Sequence, residues 1–454
     1  AYWCGLADAF WTAFGLAVGT YLNWLVVSKR LRRYSVRANN SITLPEFFSN
    51  RFREKKKTIM MLSAAFILIF FTVYAASCFV TCGKLFSTLF GAPYVTMMVL
   101  GALFVLVYTV LGGFLAESAS DFMQAIVMIV ALAVIVILGV NQAGGVDAVI
   151  ANSQQIPGFL EFFGLATPVL NEEGKQIVEA GKPLFGDAAP YGILTVCSMM
   201  AWGLGYFGMP QVLLRFMAIR KEQELNRSRR IAMVWVVISL GVAVFIGIVG
   251  RQLYPVTHLD KSAAENIFIT LATHSLPPIL AGFVMAGILA ATISSSDSYL
   301  LIAASAFAKN IYQGICKKDA TDKQVMTVSR ITLLTLALIG VVIALDENSV
   351  IFSIVSFAWA GFGATFGPLM LFSLFWKRVN KPGAIAGMVS GAAMVFLWKL
   401  VISKLGGVFA IYELLPAFIF SSICIIVVSL LTEAPSKEIE EDFEAVRTGK
   451  VEDI

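Results

Sequence analysis

Charge is scarce in this chain: only 14% of its 454 residues are Asp, Glu, Lys or Arg, and histidine occurs twice, as His258 and His274. With 58% hydrophobic residues and a mean hydropathy of +0.81, the apolar content exceeds what one soluble core can bury. Cysteine is equally uninformative for metal chemistry. Cys4, Cys78, Cys82, Cys197, Cys316 and Cys424 show no metal-ligand spacing, and most lie within or beside apolar segments as small fillers. Cys78 and Cys82 share a helix face, a spacing open to packing or to redox chemistry. The chain opens Ala1-Tyr2-Trp3-Cys4, with no Met, no basic n-region and no signal-peptide pattern, so a preceding segment is expected.

What the chain has instead is a series of apolar segments long enough to cross about 30 Å of hydrocarbon as helices. They run at about 9–27, 59–83, 95–111, 121–140, 193–216, 231–249, 280–307, 326–345, 351–375, 383–400 and 415–431, eleven spans in all. The expected fold is an all-α polytopic membrane protein, with a transmembrane domain at 1–431 and a tail at 432–454. Most of the 34 basic residues fall at 29–57, 215–230, 309–330, 377–381 and in the tail, alternating with the spans. Basic loops stay in the cytoplasm, which puts the first residue outside and the C-terminus inside. This topogenic asymmetry accounts for the net charge of +5 without a nucleic-acid partner.

Two connections carry structure of their own. Thr43-Leu44-Pro45-Glu46 has capping-box spacing with Pro in a first turn, which predicts a short amphipathic helix. Its Phe47, Phe48 and Phe52 are expected toward lipid, and Arg51, Arg53 and Lys55 to Lys57 at the headgroups. The outside loop 142–190 is too polar for a span and too long for a plain turn, and reads as an external cap or a flexible insertion.

Polar residues at membrane depth are the functional signal, because hydroxyls and carboxylates there must face one another, a cavity or an ion. Ser294-Ser295-Ser296-Asp297-Ser298 interrupts the seventh span. In the fifth, Trp202-Gly203-Leu204-Gly205-Tyr206-Phe207-Gly208-Met209-Pro210 should break the helix and free backbone groups at midplane. Trp202 and Tyr206 could wall a small apolar ring there, or simply pack a kink. Ser356 to Pro368, with small residues at 360, 361, 363, 364 and 367, suits a hinge or tight helix packing. Tyr74, Ser77, Cys78 and Thr81 form one polar stripe, expected to face a cavity rather than to bond a neighbouring helix. Asp121 opens the fourth span, where an acid in a first turn favours the helix dipole.

Together these stretches resemble the sodium/solute symporter family. The resemblance is carried by Leu22-Asn23-Trp24-Leu25, Leu44-Pro45-Glu46-Phe47-Phe48, Gly112-Gly113-Phe114-Leu115-Ala116 with Asp121, Trp202 to Pro210 with Arg215-Phe216-Met217-Ala218, and Ala358-Trp359-Ala360-Gly361-Phe362-Gly363. It implies a LeuT-type five-plus-five inverted repeat, and sodium-coupled import of a small carboxylate-bearing solute, proline first, across the bacterial inner membrane. It also implies site residues: Ala291, Ser294 and Ser295 as sodium ligands, and Tyr74, Trp202, Tyr206 and Pro210 at the substrate. Asp121, Asp297 and Ser298, with Ser294, match a second sodium position of sialic-acid transporters and could instead share a proton. The family's unwound first helix, which completes the sodium shell, is expected before residue 1. The alternatives are a symporter for pantothenate or another small carboxylate, a symporter-like sensor, and a channel; an enzyme is not expected.

Two carboxylates sharing a dry site cannot both ionise without a cation between them. Asp297→Asn should therefore change the ion stoichiometry or pH dependence of transport in proteoliposomes, and unchanged coupling would remove Asp297 from the ion site.

Overall fold

The structure is a computed structural model describing residues 1–112 and 114–449, with backbone alone at 111, 112 and 114–119. The Gly112–Ala116 stretch thus lies outside the described side chains. The helices in chain order are α1 (Leu6–Leu22), α2 (Ser28–Arg37), α3 (Leu44–Arg51), α4 (Thr58–Phe90), α5 (Tyr94–Gly112), α6 (Phe114–Gln142) and α7 (Val146–Ser153). There follow α8 (Ile193–Met200), α9 (Pro210–Ala218), α10 (Glu224–Leu253), α11 (Ile267–Ser275), α12 (Pro278–Ser305) and α13 (Asp322–Ile343). The last four are α14 (Ile351–Phe375), α15 (Lys381–Leu400), α16 (Leu414–Leu431) and α17 (Lys437–Thr448).

Among the described residues, 9 helices are long and apolar enough to cross a membrane. The bent pair Ile193–Phe207 and Pro210–Ala218 and the shorter apolar helix Tyr94–Val110 occupy the fifth and third expected spans. The first span is longer than its hydropathy suggests, running from Leu6 to Arg37 through a π-helical stretch at Asn23–Val27. The first basic residues of the expected loop therefore sit on the helix end.

α14 is the centre of the molecule: every residue from Ala358 to Met370 is buried, whereas α10 buries Leu225 and Ile246 to Arg251. Its small residues are there for packing. A Cβ on Gly361 would meet the Phe70 ring at 2.2 Å, and one on Gly367 the Phe418 ring at 2.6 Å. Pro368 lies inside the continuous helix. The same rule brings α1 onto the fifth span. Gly15 and Gly19, four apart, lie against Met200 and Gly203, where a Cβ on Gly19 would be 2.3 Å from the Gly203 Cα.

The helix at α3 forms as its capping residues require, with the Glu46 N–H donating to Thr43 Oγ1 at 3.3 Å, but its environment is not lipid. Phe47, Phe48 and Phe52 are buried in the main core. Arg51, also buried, donates to the Ser373 carbonyl at 3.1 Å and lies over the Tyr34 and Phe52 rings. The expectation of a lipid-facing helix is corrected by geometry: aromatic side chains that would satisfy lipid are equally satisfied by a core, and α4 and α14 provide one.

At the end of the bundle opposite the basic loops, the 142–190 segment is a folded cap with α7 and two short antiparallel β-ladders, Gly164–Leu165 with Ala189–Pro190 and Val178–Glu179 with Lys182–Pro183. It is tied to the membrane domain by Leu6 N–H to the Phe159 carbonyl at 2.7 Å and Trp11 Nε1 to the Phe162 carbonyl at 2.8 Å. On the basic side, α17 within the expected tail docks by burying Ile439, Phe443 and Val446. Asp442 accepts from Arg37 at 2.8 Å and Arg53 at 2.7 Å. Both arginines are half-exposed, so these pairs add little beside the apolar burial.

Burial of α3 has a measurable consequence. Phe48→Ala should cost about 3–5 kcal/mol and lower the melting temperature in detergent, whereas Lys56→Ala should leave it unchanged; equal melting temperatures would return α3 to the lipid surface.

Candidate functional site

On α12, Ala291, Ser294, Ser295 and Ser298 recur at helical spacing and share one face. Two of the three hydroxyls bond back to their own helix. Ser294 Oγ donates to the Ala291 carbonyl at 3.1 Å and Ser298 Oγ to the Ser294 carbonyl at 3.2 Å. The Ser298 N–H donates to Asp297 Oδ1 at 2.7 Å, and the Asp297 side chain is buried. The next residue, Tyr299, stacks on Tyr74 with ring centroids 4.3 Å apart and on Phe71 at 5.2 Å.

Tyr74 thus faces the serine helix. The rest of its stripe turns back onto α4, with Ser77 Oγ donating to the Tyr74 carbonyl at 2.6 Å and Thr81 Oγ1 to the Ser77 carbonyl at 2.9 Å. Neither Ser77 nor Thr81 lines the 620 Å³ cavity described below.

The fifth span breaks where its glycines and proline require. α8 gives way to a 3-10 turn at Ala201–Phe207, and α9 restarts after a 41° bend. Pro210 stands in the first turn of α9, where its missing N–H costs no helical bond. Two carbonyls at the break find side-chain donors. Trp359 Nε1 donates to the Trp202 carbonyl at 2.8 Å, and Asn23 Nδ2 to the Tyr206 carbonyl at 3.0 Å. Only glycine admits this approach at Gly205, where a Cβ would clash with Trp359 Nε1. An aromatic layer surrounds the break: Trp202 stacks on Tyr412 at 4.9 Å, and Tyr206 meets Trp359 edge-on at 4.9 Å.

The end of this layer away from the basic loops is held by charge. Lys84, buried, donates to Glu265 at 2.9 Å and to Ser262 Oγ at 2.8 Å. Glu265 in turn accepts from the N–H groups of Ile351 and Phe352, capping α14, and Phe352 packs on Trp202.

On the basic side a cavity of about 620 Å³ opens, lined by Pro210, Gln211 and Arg215 from α9, Ser298 from α12, and Lys309 and Arg330. Of the expected site residues, Pro210 and Ser298 reach this cavity. Trp202 and Tyr206 lie in the packed aromatic layer beyond it, and Ala291, Ser294 and Ser295 continue the Ser298 face of α12. Asp121 is held by Arg215 at 2.8 Å. Among the described residues no three His, Cys, Asp or Glu side chains form a metal cluster. Hydroxyl and carbonyl oxygens, the donors that a hard monovalent cation prefers, are what α12 presents. Asn23, Arg215 and Tyr299 had no assigned role from sequence. The available signals were an Asn inside an apolar run, a basic residue three positions before the end of the Trp202–Ala218 motif, and a Tyr directly after the polar run.

A broken helix packed beside a polar helix within a bundle of membrane-spanning helices is the arrangement of a secondary transporter. The sodium:solute symporter family matches residues 1–391, and the chain belongs to it. A sodium/proline symporter of Haemophilus influenzae is 40% identical over 98% of this chain and 84% of its own length. The high-affinity proline transporter PutP of Bacillus subtilis is 37% identical over 97% and 87%, and the sodium/proline symporter of Escherichia coli is 37% identical over 97% and 82%. A solved structure of a Na+-coupled sialic acid symporter in a substrate-bound outward-open state shares the fold, with a TM-score of 0.66 and 16% identity over 94% of this chain and 91% of that one. The architecture is all-α and LeuT-type, and the chain is a membrane transporter rather than an enzyme.

The contact at Gly205 is testable. Gly205→Ala should displace Trp359 and reduce sodium-driven uptake at least about tenfold by misplacing the aromatic layer, while Gly241→Ala, whose Cβ would meet nothing within 4 Å, should transport normally. Retained uptake by the Gly205 variant would show that the layer tolerates displacement.

Proposed function

We propose that this chain is a sodium-coupled symporter that imports L-proline across a bacterial inner membrane by alternating access. The observation that carries the reading is that Pro210 and Gln211, which follow the break at 201–209, line one cavity with Ser298 from the hydroxyl face of α12. The names of the three curated relatives support proline as the solute.

In this reading the pyrrolidine ring lies against Trp202 and Tyr206, beside Pro210, and Tyr74 positions Tyr299 at the edge of the pocket. The aromatic faces suit a small apolar ring, and backbone groups at the break suit its charged groups. Sodium takes the Ala291 carbonyl and the Ser294 and Ser295 hydroxyls. A second cation or a proton is shared by Asp121, Asp297 and Ser298 only when Arg215 releases Asp121, so ion binding there is linked to breaking that pair.

Orientation follows from charge. The basic ends of the spans, the 620 Å³ cavity and α17 lie on one side, which is cytoplasmic by the positive-inside rule, with the C-terminus inside. The cavity then faces the cytoplasm, and the 142–190 cap and the Lys84–Glu265 pair close the outside. Sodium and proline shift the equilibrium toward the opposite state by binding it more tightly.

Proteoliposomes loaded without sodium should take up radiolabelled proline only when sodium is added outside. Ser295→Ala should raise the half-saturating sodium concentration about tenfold or more, the loss of one charge-assisted ligand, with less effect on the maximal rate at saturating sodium. Uptake that ignores the sodium gradient, or an unchanged sodium requirement in the variant, would defeat the assignment.

A further inference from the structure

We infer that Arg215, Lys309 and Arg330 form an anion-receiving subsite on the exit path, which takes the carboxylate of the amino acid after it leaves the transport site. The inference rests on the proposed proline reading and on the cytoplasmic placement of the cavity. Three cations from three elements, α9, the π-helical stretch Ala306–Cys316 and α13, line one cavity. Among its described lining residues there is no Asp or Glu. Basic residues at a membrane edge ordinarily spread toward headgroups and water. Here they converge on a concave space whose inner wall carries Ser298 and Pro210, so a solute released from the serine helix enters it directly.

Asp121 supplies the exchange partner. It sits on α6 and occupies Arg215 at 2.8 Å in this structure. A carboxylate arriving from the transport site competes with it for the guanidinium, while Lys309 and Arg330, both exposed, draw the anion outward. Such a site must be weak, since passage requires binding strong enough to draw the solute in and loose enough to let it go.

The test uses the full chain in vesicles of determined orientation, with half-saturation for proline measured from each side under a sodium gradient. Lys309→Gln combined with Arg330→Gln should raise the inside-to-outside ratio of half-saturation about three- to fivefold, the size of partly exposed ion pairs. The difference should disappear when choline chloride inside the vesicles screens the cavity. The charge-conserving pair Lys309→Arg with Arg330→Lys should keep the unaltered ratio, which separates lost charge from lost folding. An unchanged ratio in the neutral variant, with proline transport intact, overturns the subsite. A difference seen only in vesicles containing anionic lipid also overturns it, assigning the cations to a lipid headgroup. Failure of the unaltered chain to move proline at all defeats the proline reading, and the subsite with it.

Discussion

The structure depends on one demand: inside hydrocarbon, no backbone polar group can be left without a partner. The fifth span breaks at 201–209 and exposes carbonyls that an unbroken helix would have satisfied. Trp359 and Asn23 meet two of them, from α14 and from the π-helical stretch that follows α1. Those two donors fix where α1 and α14 must lie, and the glycines at positions 15, 19, 203 and 205 let the backbones come close enough for them to reach. The aromatic layer follows, because Trp359 cannot donate to Trp202 without bringing its ring against Gly205 and Tyr206.

Electrostatics plays a different part at each face. At the end opposite the basic loops, Lys84 is buried and fully engaged, and its carboxylate partner caps a helix, so each charge has several reasons to stay. On the basic side the arginines that hold α17 are half-exposed, and the helix is kept in place mainly by Phe443 and Val446. The same basic composition thus gives firm contacts in one place and exchangeable ones in another, according to burial.

Most of the fold was legible in the amino-acid order because crossing a bilayer imposes length and hydropathy on each segment. The break was legible too, since Gly203, Gly205, Gly208 and Pro210 act on the backbone locally. What stayed hidden depends on distant partners. Phe47 and Phe48 read as lipid-facing because lipid and core are equally apolar, and only the position of α14 decides between them. Asp121 read as a first-turn acid or an ion ligand, whereas its partner Arg215 lies 94 positions away. The π-helical stretch at Asn23–Val27 has no sequence period of its own, and Asn23 became interpretable only through the carbonyl it meets.

The glycine contacts between α1, the 3-10 turn and α14 bring backbone and indole atoms together with no side chain between them to compress. A joint of that kind has no slack. It cannot absorb a displacement by rotamer changes, so a shift of α14 must be passed to the 3-10 turn and on to α1 almost undiminished. The break in the fifth span is therefore better regarded as a rigid elbow than as a flexible hinge, and the flexibility of the molecule has to be sought elsewhere along the chain.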